Sequence, residues 1–497
     1  MTNYHLSKSR FCSGVQCPKI LWLRKNMPQE EDDSFEEGQF VIGHEVGNTA
    51  KPLFGSYIEV PFSESLSDMI DSTKDLIEKG EENICEASFS SKGCFCIVDI
   101  LRNHGNKELE IYEVKSSTSV KWIYEYDVAY QYYVLTNLGY TVKKACLVHI
   151  DHSYVRHGDL ELNKLFAIKD LTDTAKDKQP EIEDLIISLK EYALQIEEPQ
   201  MEIGSHCTDP YECEYWDYCA GDLQDQGPTV FDVSRLQSKK KQELYDKGII
   251  TFEQLFNAQV LSGSQFMQVD HELHNKPPHI NVKEIHAFMK TLSYPLYFLD
   301  FESFQPPIPL FDNSCPYEQI VFQYSLHYIN EKDGPLFHKD FLACPGEDPR
   351  RNLAEQLCKD IPFNVCTTAY NMGFEKGRIK TLADFYPDFS EHLMNIHDNI
   401  KDLMLPFQKK WYYRKEFQGS YSIKYVLPAL FPDDKDLNYA NLEDVHNGME
   451  ASYSFLAMQK MKSSEVERWR SALLKYCFLD TLAMVKIWEK LREVSEL

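Results

Sequence analysis

CFCIVDILRNHGNKELEIYEVK, residues 94–115, decides how the N-terminal half reads. CFCIVDIL (94–101) is apolar and β-rich, RNHGNKE (102–108) gathers turn formers, and LEIYEVK (109–115) is apolar again. That pattern predicts a β-hairpin. Asp99 falls on its first strand, and Glu113 and Lys115 on its second. Being two apart on a strand, Glu113 and Lys115 point to one face. An Asp and a Glu gathered at one point repel each other unless a cation neutralises them. A divalent ion, Mg²⁺ or Mn²⁺, would do so, and would also polarise a phosphodiester and activate water. Lys115 could then stabilise charge developing on the phosphate. The plainer alternative is a surface acid beside a cross-strand ion pair.

Residues on both sides fit the same chemistry. GQFVIGHEVG (38–47) places His44 on a predicted helix, and ICEASF (84–89) places Glu86 one strand before the hairpin. DVAYQYYVL (127–135) places Gln131 and Tyr132 on a helix after it. This order of His, Glu, Asp, ExK and Gln resembles the PD-(D/E)XK nucleases of the RecB-like class. The resemblance implies that Asp99, Glu113 and backbone groups bind metal, with His44 or Glu86 completing the site. It gives Lys115 a role at the nucleophilic water or the transition state. Gln131 would orient the substrate or the lysine.

Cysteines stand at both ends of this region. HCTDPYECEYWDYC (206–219) holds Cys207, Cys213 and Cys219 in a C-x5-C-x5-C run, and FCSGVQCPKILWL (11–23) holds Cys12 and Cys17. The start, MTNYHLSKSR, has no apolar core, so a secretory signal is not expected. The chain's 14 cysteines therefore read as free thiols or metal ligands in a cytoplasmic protein. Cys94, Cys96, Cys146, Cys358, Cys366 and Cys477 sit in apolar runs and read as core. Four thiolates suit zinc or an iron–sulfur cluster, and spacing favours neither. One cysteine before a RecB-like core and three after it resembles the iron–sulfur RecB-like exonucleases, among them the CRISPR-associated family and the nuclease module of AddB. The resemblance covers about residues 5–222. It implies a [4Fe-4S] cluster stapling the N-terminal helix to the end of the domain. Its ligands would be Cys17 (with Pro18 after it, in preference to Cys12), Cys207, Cys213 and Cys219. The family commonly ends in C-x2-C-x5-C, from which this chain departs.

The C-terminal half carries a second acidic pattern. YFLDFES (297–303) puts Asp300 and Glu302 on one face of an apolar strand, with Leu299 and Phe301 on the other. KYCFLDTLAMVKIW (475–488) puts Tyr476 and Asp480 one turn apart on a helix. TTAYNMGFEKGRI (367–379) puts Asn371 and Glu375 where a strand yields to a helix. Four carboxylates brought together would bind two metals and hydrolyse a phosphodiester in line, with a tyrosine orienting the water. The ordered set resembles the DnaQ-like, DEDDy-type 3′–5′ exonucleases over about residues 294–492. It implies Asp300, Glu302, Glu375 and Asp480 as metal ligands and Tyr476 as the water-orienting group. The family's middle acid is usually Asp, and Asp402 is the substitute to weigh against Glu375.

These readings give an α/β architecture in three parts. Residues 1–222 form a restriction-endonuclease-like PD-(D/E)XK domain with the cluster. Residues 223–291 form a small helical linker, with breaks at AGDLQDQGPTV (220–230) and HNKPPHINV (274–282). Residues 292–497 form an RNase H-like (DnaQ-like) exonuclease domain. In the linker, LQSKKKQELYDKGIITFEQL (236–255), with its run Lys239 to Lys241, loosely resembles a helix-hairpin-helix element; a solvated helix is the plainer reading. The whole resembles a bacterial family of uncharacterised function that fuses these two nuclease types. PYEQIVFQYSLH (316–327) and GSYSIKYVLPAL (419–430) resemble its markers. Ser420, Ser422 and Lys424 could there contact a phosphate backbone.

Composition bounds the partners. There are 52 basic and 78 acidic residues, a net charge of −26, which alone argues against an electrostatic nucleic-acid binder. Catalytic acids add negative charge, however, so DNA, single-stranded or at ends, stays the expected partner, with RNA as the alternative. A protein that delivers the substrate also fits. No apolar run is long enough to span a membrane. The competing functional class is a nucleic-acid-binding or scaffold protein whose nuclease sites are inactive.

Overall fold

The computed structural model describes residues 5–28, 33–225, 227–437, 439–442 and 444–496. The side chains of 33–40, 222, 224 and 440 are outside the description, as are the first four residues of the start segment. The chain is α/β and divides into two compact units. One comprises Met1–Asp225 with Pro306–Tyr317, the other Gln226–Gln305 with Glu318–Leu497. From Gln226 onward, the stretch read as a linker belongs to the second unit.

The first unit is a mixed sheet. Its strands are β1 (Leu6–Ser7), β2 (Ile58–Glu59), β3 (Asn83–Ser91), β4 (Cys94–Asn103), β5 (Glu108–Lys115), β6 (Thr141–Ile150) and β7 (Phe166–Asp170), in the order β2-β3-β4-β5-β6-β7. β3, β4 and β5 run antiparallel, and β5 and β6 run parallel, joined by the helix Trp122–Asn137. β1 adds to β4 in parallel, which brings the start of the helix Lys8–Gln16 to the sheet. The expected hairpin is β4–β5. Its turn works because Gly105, Asn106 and Lys107 all accept positive φ, and Asn103 Oδ1 caps the Gly105 amide at 3.0 Å.

The second unit is built on a sheet of five strands. These are β9 (Leu296–Phe304), β10 (Ile320–Ile329), β11 (Leu336–Leu342), β12 (Cys366–Ala369) and β13 (Ile400–Asp402), in the order β11-β10-β9-β12-β13. The first three pair antiparallel, and β12 and β13 lie parallel to β9. Period-two alternation sorts the faces of β9. Leu299 and Phe301 join the core beneath the helix Arg350–Asp360, as expected from the sequence. Phe298 faces the other way and meets Trp488 of the long helix Ser463–Ser495, with ring centroids 5.8 Å apart. Asp300 and Glu302 share that second face.

The helices Ser238–Asp246, Phe252–Ala258 and Gly263–Leu273 precede a small ladder of β8 (His279–Ile280) and β14 (Tyr412–Tyr413). They brace the turn that begins GSYSIKYVLPAL. Gln268 Nε2 donates to the carbonyls of Asp232 (2.9 Å) and Gln418 (3.2 Å). Gly419 has φ +73, and a Cβ there would stand 2.3 Å from Gln268 Oε1, so only glycine fits. The lysine run is largely spoken for. Lys241 donates to the Phe231 carbonyl, and Lys240 pairs with Glu243 at 3.2 Å.

Candidate functional site

In the first unit, β4 and β5 pair only as far as Ile100 and Tyr112. There the strands part, and Asp99 Oδ2 accepts the Val114 N–H at 2.6 Å in place of a ladder bond. Glu86 stands opposite Asp99, between the paired positions Cys85–Ile100 and Ala87–Val98. It adopts φ 57 in mid-strand, where a non-glycine residue is strained. Glu86 also pairs with Lys51 at 3.5 Å.

Glu113 lies behind this opening, 2% exposed, at the centre of a polar knot. Lys8 Nζ donates to its Oε1 and Oε2 at 2.7 and 2.8 Å. Lys115 Nζ donates to Glu113 Oε1 and Asp127 Oδ2, both at 2.7 Å. Gln131 Nε2 donates to Glu113 Oε2 at 2.7 Å and Asp127 Oδ1 at 2.9 Å. Burial pushes the Lys115 ammonium down, but Asp127, Glu113 and Asp99 together outweigh it and hold Lys115 well above the usual lysine range. Burial pushes the Asp99 carboxyl up, against the pull of Lys8 and Lys115. Asp99, Glu113, Lys115 and Gln131 thus converge, and Glu86 faces them across the ladder. His44 lies exposed on the helix Asp33–Ala50 and does not share their burial.

The cysteines gather in the same unit. Pro18 disfavours a helical conformation for Cys17, which is extended (φ −153) between two helices, and Pro18 starts the second. The Lys19 and Ile20 amides at that helix start aim at the Cys17 sulfur and oppose the rise in its pKa caused by burial. Cys213 donates its amide to the Cys207 carbonyl at 2.9 Å, and Cys219 sits on the helix Trp216–Gln224. Cys17, Cys213 and Cys219 share one small cluster with Trp22 and Tyr215. Burial and the neighbouring thiols, Cys17 first and then Cys207 and Cys219, push Cys213 up to about 11. Lys19 to Glu198 (2.6 Å) and Arg24 to Glu214 (2.7 Å) tie the N-terminal helices to this segment. Cys12, by contrast, feels Asp127, Lys115 and Lys8. Of the cysteines read as core, Cys358 is only half-buried.

In the second unit, four acids meet over β9. Asp300 and Glu302 project from β9, opposite Ser325 and Gln323 of β10. Glu375 comes from the first turn of the helix Gly373–Phe385, behind a turn in which Asn371 takes φ 72. Asp480 comes from the long helix. Burial and then Asp480, Glu302 and Glu375 hold the Asp300 carboxyl well above the usual range. Burial, Asp480 and Glu375 do the same to Glu302. Glu375 is pushed up to about 8 by burial and Asp402, and Asp480 to about 7 by burial. Glu375 Oε2 and Asp480 Oδ2 are buried without a hydrogen-bond partner. Asp480 Oδ1 accepts from the Tyr439 hydroxyl at 2.5 Å. Tyr476, 6% exposed, stays protonated because burial and the charges of Asp480, Glu302 and Asp300 oppose its ionisation. Asp402 instead braces the turn, its Oδ1 accepting the Asn371 and Met404 amides at 3.0 and 2.9 Å. Glu375, not Asp402, therefore joins Asp300 and Glu302. Among the described residues, Asp300, Glu302 and Cys477 place ligand atoms within 4.8 Å of one another.

This crowding has a pH signature. The ordinary values for Glu and Asp are 4.5 and 3.8, so the folded state holds these protons more tightly than the unfolded chain. The resulting stability is complete below about pH 4 and is lost as pH rises through about 7 to 8. In EDTA, Tm is expected to fall by several degrees from about pH 5.5 to about pH 8.5, and a divalent ion at the higher pH to restore it. A Tm flat across that window would mean that the acids are not held protonated.

Sequence reasoning missed Lys8, Asp127 and Tyr439. Asp127 was visible as an i, i+4 partner of Gln131. Lys8 lies 105 residues from Glu113, and only the fold brings it there.

Residues 297–422 match the family profile described as a domain of unknown function, DUF2779. The match takes in β9, the turn to Glu375 and Asp402, and stops before Tyr476. The chain is 29% identical over 227 residues to the uncharacterized protein UU173 of Ureaplasma parvum serovar 3, which covers 41% of this chain and 32% of that protein. It is 27% identical over 212 residues to the uncharacterized protein MG366 of Mycoplasma genitalium, covering 38% and 31%. The alignments span about a third of the length of these curated relatives. No helix among the described residues is long and apolar enough to cross a membrane.

Proposed function

We propose that the chain is a metal-dependent nuclease, a DNA exonuclease with two phosphodiester-hydrolysing centres and a four-cysteine [4Fe-4S] centre. One observation carries this reading: Asp300, Glu302, Glu375 and Asp480 crowd together, Glu302 and Glu375 buried and Asp300 and Asp480 half-buried, and one oxygen each of Glu375 and Asp480 is buried without a partner. Buried acids without cations are costly, and a divalent ion removes that cost. The strand order β11-β10-β9-β12-β13 supports an RNase H-like, DnaQ-like fold. The β3–β4–β5 meander, crossover helix and parallel β6 support a PD-(D/E)XK fold.

Asp300, Glu302, Glu375 and Asp480 would hold metal in the second unit, and Asp99, Glu113 and Glu86 in the first. Divalent ions bound there would polarise the phosphodiester and ease deprotonation of water. The chain's own groups do the rest. Tyr439 fixes Asp480 through one oxygen and leaves the other for a ligand. The protonated Tyr476 orients the attacking water. In the first unit, the permanently charged Lys115 meets charge developing on the phosphate, and Gln131 holds Glu113 and Asp127 in register.

Three of the four thiols, Cys17, Cys213 and Cys219, share one small cluster, which supports a common thiolate centre. Four thiolates suit zinc or an iron–sulfur cluster, and the resemblance to the iron–sulfur exonucleases is what selects the cluster in this reading.

The test is digestion of 5′- and 3′-labelled single-stranded DNA, with a circular control, in Mg²⁺ or Mn²⁺. Wild type is compared with Asp99→Ala, Asp300→Ala and the double variant. Stepwise loss assigns a polarity to each centre. Inactivity of wild type on DNA and RNA alike would sink the reading.

For the first unit one observation favours a second reading, a nucleic-acid-binding module without hydrolysis: Lys8 already covers both oxygens of Glu113. Lys8 and a metal ion compete for that carboxylate. Lys8→Met is therefore expected to tighten Mn²⁺ binding to the Asp300→Ala protein about tenfold, roughly 1.4 kcal/mol, by calorimetry. Unchanged affinity would favour the binding module.

A further inference from the structure

A cavity of about 240 Å³ opens beside the first-unit site. Its walls include Lys8, Cys12, Lys115, Tyr124, Asp127 and Tyr211. Tyr124 comes from the first turn of the helix Trp122–Asn137, and Tyr211 from the segment between Cys207 and Cys213. Their hydroxyls stand 3.5 Å apart. Tyr211 is 47% exposed, with the Lys121 ammonium 4.4 Å from its ring centroid. Trp122, 39% exposed, is not part of the lining but ties the helix to the same segment by donating to Asp209 Oδ2 at 3.3 Å. The Tyr211 backbone is fixed from below. Gln16 Nε2 donates to the Tyr211 carbonyl at 2.7 Å and to the His206 carbonyl at 2.9 Å.

Half-exposed aromatic rings beside an ammonium group are what single-stranded nucleic acid uses, because every base has a face to stack. The cavity has room for one base and none for a duplex. A base could reach it only unpaired. We propose that this cavity takes the unpaired terminal base of a single-stranded nucleic acid, stacked on Tyr211, so that the adjoining phosphodiester faces Lys115. Tyr211 is then a positioning residue, and the cysteine segment that carries it forms one wall of the substrate site. The inference rests on the nuclease reading of the first unit and specifies its substrate.

The test uses the full chain and single-stranded DNA of about ten nucleotides carrying 2-aminopurine at the terminal or at a central position. Binding is followed in EDTA, where hydrolysis is stopped. The terminal probe is expected to be quenched several-fold and the central one little. Tyr211→Phe should keep the quenching, and Tyr211→Ala should lose it with iron content and circular dichroism unchanged. In Mn²⁺, Tyr211→Ala should raise KM about tenfold, more than it lowers kcat. Equal quenching at both positions, or full terminal quenching in Tyr211→Ala, would overturn the pocket. Hydrolysis without Tyr211-dependent quenching also removes it and leaves the nuclease reading intact. Tyr211-dependent terminal quenching without any hydrolysis keeps the pocket and removes the nuclease reading.

Discussion

Asp300→Asn is expected to abolish hydrolysis by the second unit while making the metal-free protein more stable. The loss of activity is set at about 10³-fold or more, because several kcal/mol of charge stabilisation at the phosphate depend on the metal this residue would hold. The gain in stability has the same origin. Asp300, half-buried, stands beside Asp480, Glu302 and Glu375, and desolvation together with these charges holds its carboxyl well above the usual range. Asparagine keeps the size and cannot ionise, so above the ordinary carboxylate range the cost of charging this carboxyl, or of holding its proton, in the folded state disappears. Calorimetry in EDTA at about pH 8 is expected to show a higher Tm for the variant. In saturating Mn²⁺ the order should reverse, since wild type alone gains the full linkage from bound ion. A variant less stable in both conditions would mean that Asp300 serves packing rather than metal. Residues retained at a cost to stability are a mark of function.

The fold and the sites were unequally legible in the sequence. The β4–β5 hairpin could be read because its turn chemistry is local. The faces of β9 could be read because strand alternation is strict: Leu299 and Phe301 went to one core, and Asp300 and Glu302 to the other face. Glu375 could be placed because its turn follows a short strand; in the structure it stands with Asp300 and Glu302, while Asp402 holds two backbone amides. Lys8 could not be read. It reaches Glu113 only because β1 joins β4 in parallel, a pairing of two residues with no pattern of its own. The helices after Gln226 looked like a linker because they are polar and short. Their role is visible only in Gln268, which reaches the Gly419 turn about 150 residues away. His44 was read from motif order alone, and order does not fix exposure.

Cys213→Ser is expected to empty the cysteine centre of iron and to unfold much of the first unit. Structural metal centres contribute on the order of 10 kcal/mol or more to small folds, as much as a whole domain's net stability of about 5–15 kcal/mol. Here the centre would join the break between the first two helices, at Cys17, to the segment Cys207–Cys219. Without it, the ties that remain are the Gln16 hydrogen bonds to the His206 and Tyr211 carbonyls, the packing of Trp22 with Tyr215, and the Lys19–Glu198 and Arg24–Glu214 ion pairs. The Arg24–Glu214 side chains are about 42% and 36% exposed, and a pair that exposed contributes about 1 kcal/mol or less. Cys12→Ser is the matched control, because Cys12 faces Lys8, Lys115 and Asp127 instead. It should keep about four irons per chain and absorbance near about 400 nm, while Cys213→Ser loses both. One zinc per chain in place of iron would replace the cluster and leave the folding argument standing, since either centre needs the same four thiolates. Iron retained in Cys213→Ser would remove Cys213 from the ligand set. Iron lost in Cys12→Ser would exchange Cys17 for Cys12, against the Pro18 break that turns Cys17 toward the other three.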